Sequence, residues 1–234
     1  MYKVAREVAV MKKISHPNII KLYEVLDNPN QEKIYLILEY AHNGNIIEWS
    51  EESQHFCLKD RKGQMEETEV RSIFRDIIKA VHYLHSNDIV HRHIKPMNIL
   101  RNKKGVNKLC LTEFAKFLGD FGVSTLIENG LDIFTSNEGT MLFKSPEAVD
   151  AQGKKGYSGK PFDIWGMGIS FYCFVFLQAP YVESNLKGMI SSVKAADISY
   201  ESNNAIISSD LIAFLSKILC KNVEKRPKIE FPFF

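Results

Sequence analysis

Apolar residues recur at three- and four-residue steps in two parts of the chain, and this spacing predicts helices there. The clearer helix covers residues 66–85, where acidic residues occupy the first turn and the apolar positions share one face: Val70, Ile73, Phe74, Ile77, Val81 and Leu84. The other covers residues 3–14 and ends at His16-Pro17-Asn18, because a residue before proline avoids the helical region. Weaker patterns predict helices at 184–194 and 209–219.

Short apolar stretches bounded by turn residues predict strands at 19–26, 33–39 and 108–111. A linker is expected at 40–45, because Asn43-Gly44-Asn45 is a turn signal.

Two other stretches lack a regular apolar pattern. Residues 50–64 are mostly polar and are expected to form a surface loop. Residues 119–147 are rich in turn residues, so they are expected to form a long loop, and loops of that length usually carry function or are disordered.

The most apolar part of the chain covers residues 164–182, which carry no charge. Its dense apolar portion is only about 14 residues long, which favours a buried core helix near 162–177 over a membrane span. Two glycines, Gln178 and Pro180 also interrupt it. No membrane partner is therefore expected.

Composition and charge narrow the function classes. The chain of 234 residues is 45% hydrophobic and 25% charged, which is ordinary for a globular protein, and its net charge of +2 gives no reason to expect nucleic acid as a partner. The four cysteines are scattered and form no C-x-x-C pair, so neither a zinc site nor a disulfide framework is predicted. A reducing compartment and a cytoplasmic location follow from this, since the N-terminus has no apolar signal core.

Chemistry-bearing residues occur in a fixed order after the long helix. His91, Arg92, Lys95 and Asn98 lie within one loop, and four further motifs follow: Asp120-Phe121-Gly122, Ser145-Pro146-Glu147, Asp163-Ile164-Trp165-Gly166-Met167-Gly168 and a late Arg226. Each piece alone is weak, since a lone Asp-Phe-Gly is usually a turn and a lone Asn is usually a cap. The ordered set is far more specific.

This ordered set resembles that of eukaryotic protein kinases of the Ser/Thr type. The resemblance implies an α+β, two-lobed kinase-like fold. A partial N-lobe with an incomplete sheet would cover residues 1–40, and a mostly helical C-lobe would cover residues 41–234. The implied activity is transfer of the ATP γ-phosphate to protein Ser/Thr, with ATP and Mg²⁺ as cofactors.

The resemblance can be narrowed to one subfamily, the calcium/calmodulin-dependent protein kinase kinases. Three stretches are similar to that subfamily: residues 24–30, 120–124 and 172–176. That subfamily implies another kinase as the protein substrate. A calmodulin-binding tail is not expected after Phe234, and calmodulin is not expected as a partner of this chain.

The resemblance also implies roles for individual residues. Asn98 and Asp120 would hold the metal, because a carboxylate and an amide oxygen suit Mg²⁺, and Lys95 would neutralise the transferred phosphate. Four residues would surround the adenine base: Leu38 as gatekeeper, Glu39 and Ala41 through their backbone groups, and Leu100 as part of the floor. Glu147 is expected to pair with Arg226, and His91 to be a packed core residue.

The chain departs from the family pattern at His93, which stands where kinases have the catalytic Asp. A neutral imidazole with a pKa of about 6.5 can accept a proton, but it brings no negative charge to orient a substrate hydroxyl. Loss of a general base costs about 10²- to 10⁴-fold in rate. The sequence favours a non-catalytic His93.

The spacing is also unusual, because Asp120 lies 27 positions after His93. Glu113-Phe114-Ala115 offers an alternative metal-side triplet at a more normal distance. Asp120 is preferred, because the stretch 120–147 matches the subfamily.

Finally, the sequence begins inside the first helix. The glycine-rich loop and the lysine that would pair with Glu7 are therefore expected to be absent. Three readings stay open: a Ser/Thr kinase, an inactive pseudokinase that acts as a binding scaffold, and a truncated product that does not fold stably.

Overall fold

The computed structural model describes residues 2–27, 34–111, 125–126, 132–134, 140–151, 156–201 and 207–229, with the side chains of 2–7 and 125–126 left out of the description. Six α-helices lie in these ranges: α1 Tyr2–Lys13, α2 Glu67–Ser86, α3 Pro146–Asp150, α4 Gly159–Phe176, α5 Leu186–Ala195 and α6 Ser209–Ile218. Short 3₁₀ turns occur at Pro96–Asn98, Met141–Phe143 and Val223–Lys225.

The described strands form small antiparallel sheets. They are β1 Leu22–Asp27, β2 Ile34–Leu38, β3 Gly44–Asn45, β4 Ile47–Ser50, β5 His55–Leu58, β6 Ile89–Val90, β7 Ile99–Arg101, β8 Asn107–Leu109 and β9 Thr125–Leu126. β1 pairs with β2, β4 with β5 and β6 with β9, while β3, β7 and β8 form a three-stranded sheet. The mixture of short sheets and helices is α+β, as predicted.

The two helices with the strongest sequence signals form the centre of the core. The predicted apolar face of α2 is buried along its length, and α4 is buried on all sides from Phe162 to Phe176. Phe74 of α2 stacks on Phe171 of α4 with ring centroids 3.7 Å apart. The prediction of a buried core helix is confirmed, and no helix in the described part of the chain has the length and apolar character needed to cross a bilayer.

The helix α4 begins at Gly159, three residues before the predicted start. Its first turn lies on the Asp132 carboxylate, which accepts hydrogen bonds from the backbone N–H groups of Gly159 at 2.7 Å and Lys160 at 3.1 Å. A carboxylate at this position satisfies N–H groups that the helix cannot pair internally. Sequence periodicity could not show this cap, because Asp132 lies outside the helix.

The surface loop predicted at 50–64 is wrong over its first half, where the structure has the hairpin β4–β5. Buried Phe56 and Leu58 alternate with exposed His55 and Cys57, which is the period of a strand with one face packed on the core. The Phe56 N–H also donates to the carbonyl of Leu177 at 2.8 Å. Only two apolar residues carry this alternation, so the polar surroundings obscured it.

Backbone hydrogen bonds join the segment before β1 to β8. The N–H of Ile20 donates to the carbonyl of Leu109 at 2.9 Å, and the N–H of Leu109 donates to the carbonyl of Asn18 at 2.8 Å. The strand predicted at 108–111 is observed one residue earlier, as β8. These bonds place the segment before β1 beside β8, and the Glu39 N–H, which donates to the Lys21 carbonyl at 2.8 Å, brings the end of β2 to the same place, where the candidate site lies.

Candidate functional site

An open cleft of about 560 Å³ lies where β2, β3 and the 3₁₀ turn before β7 meet. Its lining combines apolar side chains with one lysine, one glutamate, one tyrosine and two amides: Leu36, Leu38, Glu39, Tyr40, Ala41, Asn45, Lys95, Met97, Asn98 and Leu100. The predicted base-contacting residues Leu38, Glu39, Ala41 and Leu100 are therefore brought together. Such a lining suits a ligand that has both an apolar ring and a charged portion.

The cleft floor is a small apolar cluster. Leu100 packs with Ile20, Ala41 and Cys110, and Leu38 lies against them. The backbone holds these residues in place, since Asn45 pairs with Leu100 across β3 and β7, and the Gly44 N–H donates to the Ala41 carbonyl at 2.9 Å. The floor is thus built on paired strands, which fix its geometry better than a free loop would.

The loop after β6 is held by one buried carboxylate on α4. Asp163 accepts hydrogen bonds from the backbone N–H of His91 at 2.8 Å and of Arg92 at 2.6 Å, and His85 Nε2 lies 2.9 Å from its Oδ2. Arg92 has a φ of 62°, in the left-handed region. The sequence placed Asp163 in the ordered set of motifs, but it did not identify His85. The sequence did carry a signal for His85, because this residue lies four positions after Val81 and so falls on the same buried face of α2.

His91 is a buried structural residue, as expected. Its Nδ1 accepts the backbone N–H of His93 at 3.1 Å, so the ring proton must lie on Nε2, which donates to the Cys110 carbonyl at 2.9 Å. Burial lowers the pKa of His91 below its ordinary value, so the ring is neutral near pH 7. This residue joins the loop to the stretch that follows β8.

His93 lies near the first turns of α4. Only 7% of the residue is exposed, and it lines a small cavity together with Thr140, Phe143 and Phe162. Among the residues that the structure describes, the lining of the large cleft does not include His93. Its backbone carbonyl accepts a hydrogen bond from Asn98 Nδ2 at 2.8 Å. The residue at the expected base position therefore lines the small cavity and is not among the described residues that line the cleft.

Asn98 and Lys95 both line the cleft. Asn98 is 3% exposed, and its backbone N–H donates to the Lys95 carbonyl at 3.0 Å while its own carbonyl accepts from Cys110 at 2.8 Å. Because Asn98 Nδ2 is used by His93, the side-chain oxygen is the atom that could meet a cation. This orientation fits the role of a Mg²⁺ ligand.

The remaining metal-site predictions fall outside what the structure describes. Asp120 and the alternative Glu113 lie in 112–124, and the side chain of Glu7 is likewise not described. Within the described ranges, no group of three or more His, Cys, Asp and Glu side chains could hold a metal ion. A Mg²⁺ site formed by Asn98 and Asp120 stays a prediction.

The predicted pairing of Glu147 with Arg226 is confirmed. The Arg226 guanidinium donates to both carboxylate oxygens of Glu147, at 2.6 and 3.0 Å. It also donates to the carbonyls of Pro161 and Cys220, and it lies over the ring of Trp165. This network holds the start of α3 against α4.

Comparison with known proteins gives the same assignment as the ordered motifs. A family model described as the protein kinase domain matches residues 2–231. A calcium/calmodulin-dependent protein kinase kinase of Caenorhabditis elegans is 37% identical over 192 residues, covering 82% of this chain and 32% of the relative.

Two other relatives cover 97% of this chain. A probable serine/threonine-protein kinase of Dictyostelium discoideum is 32% identical over 228 residues, which make up 29% of that protein. The CBL-interacting serine/threonine-protein kinase 24 of Arabidopsis thaliana is 31% identical over 228 residues, which make up 45% of that protein. The chain thus spans less than half the length of these relatives. With its ordered motifs and its anchored loop, the chain belongs to the protein kinase domain family, and its relatives are serine/threonine kinases.

Proposed function

We propose that this chain binds ATP with Mg²⁺ in the cleft above Leu100 and transfers the γ-phosphate to a Ser or Thr hydroxyl of a protein. The observation that carries the proposal is the meeting, in one cleft, of an apolar floor with Lys95 and Asn98. The cofactor supplies the phosphoryl group, and the metal neutralises its developing charge. The protein has to position these groups and add compensating charge.

Each cleft residue has a proposed task. Leu100 forms part of the floor under the base, Leu38 is the gatekeeper, and the backbone of Glu39 and Ala41 offers the base hydrogen bonds. Lys95 brings a positive charge toward the phosphates. Asn98, with its amide nitrogen engaged by His93, presents its oxygen to Mg²⁺. Asp120 is the proposed second metal ligand.

His93 does not act as a general base in this proposal. It lines a small cavity together with Thr140 and Phe143 and is not among the described residues that line the cleft. Transfer therefore rests on positioning and charge neutralisation alone, and it is slower by about 10²- to 10⁴-fold than with a working base.

The position of His93 also favours a second candidate function, a protein-binding scaffold that holds a nucleotide without turning it over. In that case the nucleotide bound in the cleft stabilises the fold, and the surface of the helices contacts a partner. The two candidates differ in one observable, which is whether bound ATP is consumed.

The proposed protein substrate is another kinase, phosphorylated at Ser/Thr of its activation loop. Support comes from the C. elegans relative, a protein kinase kinase by name. A cytoplasmic location is also proposed, and it rests on the scattered cysteines of the sequence.

The test combines two measurements on the whole chain. Calorimetry measures binding of ADP and of a non-hydrolysable ATP analogue with Mg²⁺, and radiolabelled ATP measures transfer to a peptide with an activation-loop Ser/Thr. The proposal expects binding together with slow transfer that is lost in Lys95→Met. Binding without any transfer would favour the scaffold, and absence of both would contradict a nucleotide site in this cleft.

A further inference from the structure

A buried ion pair joins the end of β2 to the sheet under the cleft. Lys108 Nζ lies 2.8 Å from Oε1 and 2.9 Å from Oε2 of Glu39, so the ammonium contacts both carboxylate oxygens. Lys108 is only 7% exposed, which is rare for a lysine and requires a partner. The two residues are 69 positions apart in sequence, so local patterns did not reveal the pair.

Glu39 is held at three points. Its backbone N–H donates to the Lys21 carbonyl at 2.8 Å, and its carboxylate accepts the Lys21 N–H at 3.3 Å as well as the Lys108 ammonium. Glu39 also lines the cleft. Any shift of this residue away from Lys108 would leave a charge buried without its partner, which is costly.

Lys108 stands on the same sheet as the cleft floor. It is the direct partner of Leu100 across β7 and β8, and side chains of directly opposed residues lie on the same face. The neighbouring pair, Arg101 and Asn107, faces the other way and bonds to Glu69 and Asp76 of α2. One face of the sheet thus carries both the floor residue and the lysine that holds Glu39.

We propose that Lys108 is a positioning residue, which acts through Glu39 to set the distance between the 39–41 backbone and the Leu100 floor, and thereby the affinity for the nucleotide base. The inference rests on the proposed nucleotide site. Ala41 already packs on Leu100 at one end of the 39–41 segment, and the ion pair holds the other end, so losing the pair lets the Glu39 end move relative to the floor. A preformed slot binds a planar base more tightly because less ordering is needed on binding.

The test uses three variants of the full chain: Lys108→Met, Glu39→Gln and the double variant. Calorimetry with Mg²⁺ and ADP is expected to show Kd rising about tenfold in Lys108→Met, a typical size for coupling within one network. The double variant should be no weaker than Lys108→Met, because the pair is already broken.

Arg101→Met is the matched control. It breaks the ion pair with Glu69 on the opposite face of the same sheet, where the two side chains are 19% and 23% exposed. It should lower the thermal midpoint while leaving the Kd for ADP unchanged. If Lys108→Met behaved in the same way, with a lower midpoint and wild-type affinity, Lys108 would be only structural and the proposal would be overturned.

Hydrogen exchange of the nucleotide-free protein separates this inference from the proposed function. The amides of 36–41 should exchange faster in Lys108→Met than in the wild type, and at the wild-type rate in Arg101→Met. If the wild type bound no nucleotide, the proposed function would fail, yet faster exchange would still support the positioning of the 39–41 segment. Unchanged exchange would overturn the positioning whether or not nucleotide binds.

Discussion

Arg226 donates two hydrogen bonds to Glu147, at 2.6 and 3.0 Å, and its guanidinium is completely buried. The two residues are 79 positions apart. Their pairing joins the start of α3 to the segment that follows α6, and two backbone carbonyls and Trp165 complete the surroundings of the guanidinium. The stability of the helical part should therefore depend on this pair.

Arg226→Ala is expected to lower the free energy of unfolding by about 3–5 kcal/mol, because it leaves the Glu147 carboxylate without its partner. Urea denaturation measures this change. Lys194→Ala is the control, since Lys194 pairs with Asp150 in an exposed position and should cost no more than about 1 kcal/mol. Equal midpoints for the two variants would remove the pair from the set of stabilising contacts.

A pH dependence follows from His91, whose pKa is lowered by burial. In the unfolded chain the imidazole takes up a proton below a pH of about 6.5, while the folded protein keeps the ring neutral. The unfolded state therefore binds more protons, and stability is lost as pH falls from about 6.5 toward the lower folded pKa. Above that window the contribution of His91 is fully present.

Urea midpoints between pH 7.5 and 5 test this prediction. His91→Gln should be less stable at pH 7.5 but should lose less stability on acidification than the wild type. The remaining dependence would include His16, whose pKa is also lowered, mainly by partial burial. A wild-type slope in His91→Gln would contradict the assignment.

Asn98 is predicted to contribute to Mg²⁺ binding and not to binding of the adenine base. In Asn98→Ala, the gain in ADP affinity that Mg²⁺ produces should disappear, while affinity measured in EDTA should be unchanged. Asn98→Asp keeps an oxygen for the metal but loses the bond to the His93 carbonyl, so it should retain a Mg²⁺ effect. Loss of the Mg²⁺ effect in both variants would mean that Asn98 acts through its hydrogen bond to the His93 carbonyl and not as a metal ligand.

The choice between the two metal-side triplets can be tested in the same assay. Asp120→Ala is expected to abolish the Mg²⁺ effect on ADP affinity, and Glu113→Ala to leave it intact. The opposite pattern would assign the metal to Glu113 and make Asp120 the surface residue.

The parts of the fold that could be predicted are those with a regular apolar period. The buried face of α2 and the buried α4 follow directly from their spacing, and the Glu147–Arg226 pair was implied by the resemblance to protein kinases. The hairpin β4–β5 could not be found, because only Phe56 and Leu58 mark it among polar neighbours. Contacts between polar residues far apart in sequence, such as Lys108 with Glu39, leave no local pattern, since each residue alone is typical of a solvated surface.

The most direct test of the proposed function compares phosphoryl transfer to the activation-loop peptide by the wild type, His93→Ala and His93→Asp at pH 7.5. If His93 is not a base, His93→Ala should transfer at the wild-type rate, and His93→Asp alone should not raise that rate, because residue 93 lines the small cavity and is not among the described residues that line the cleft. Loss of transfer in His93→Ala by about 10²-fold or more, the size expected for a general base, would contradict the account and make His93 a working catalytic residue.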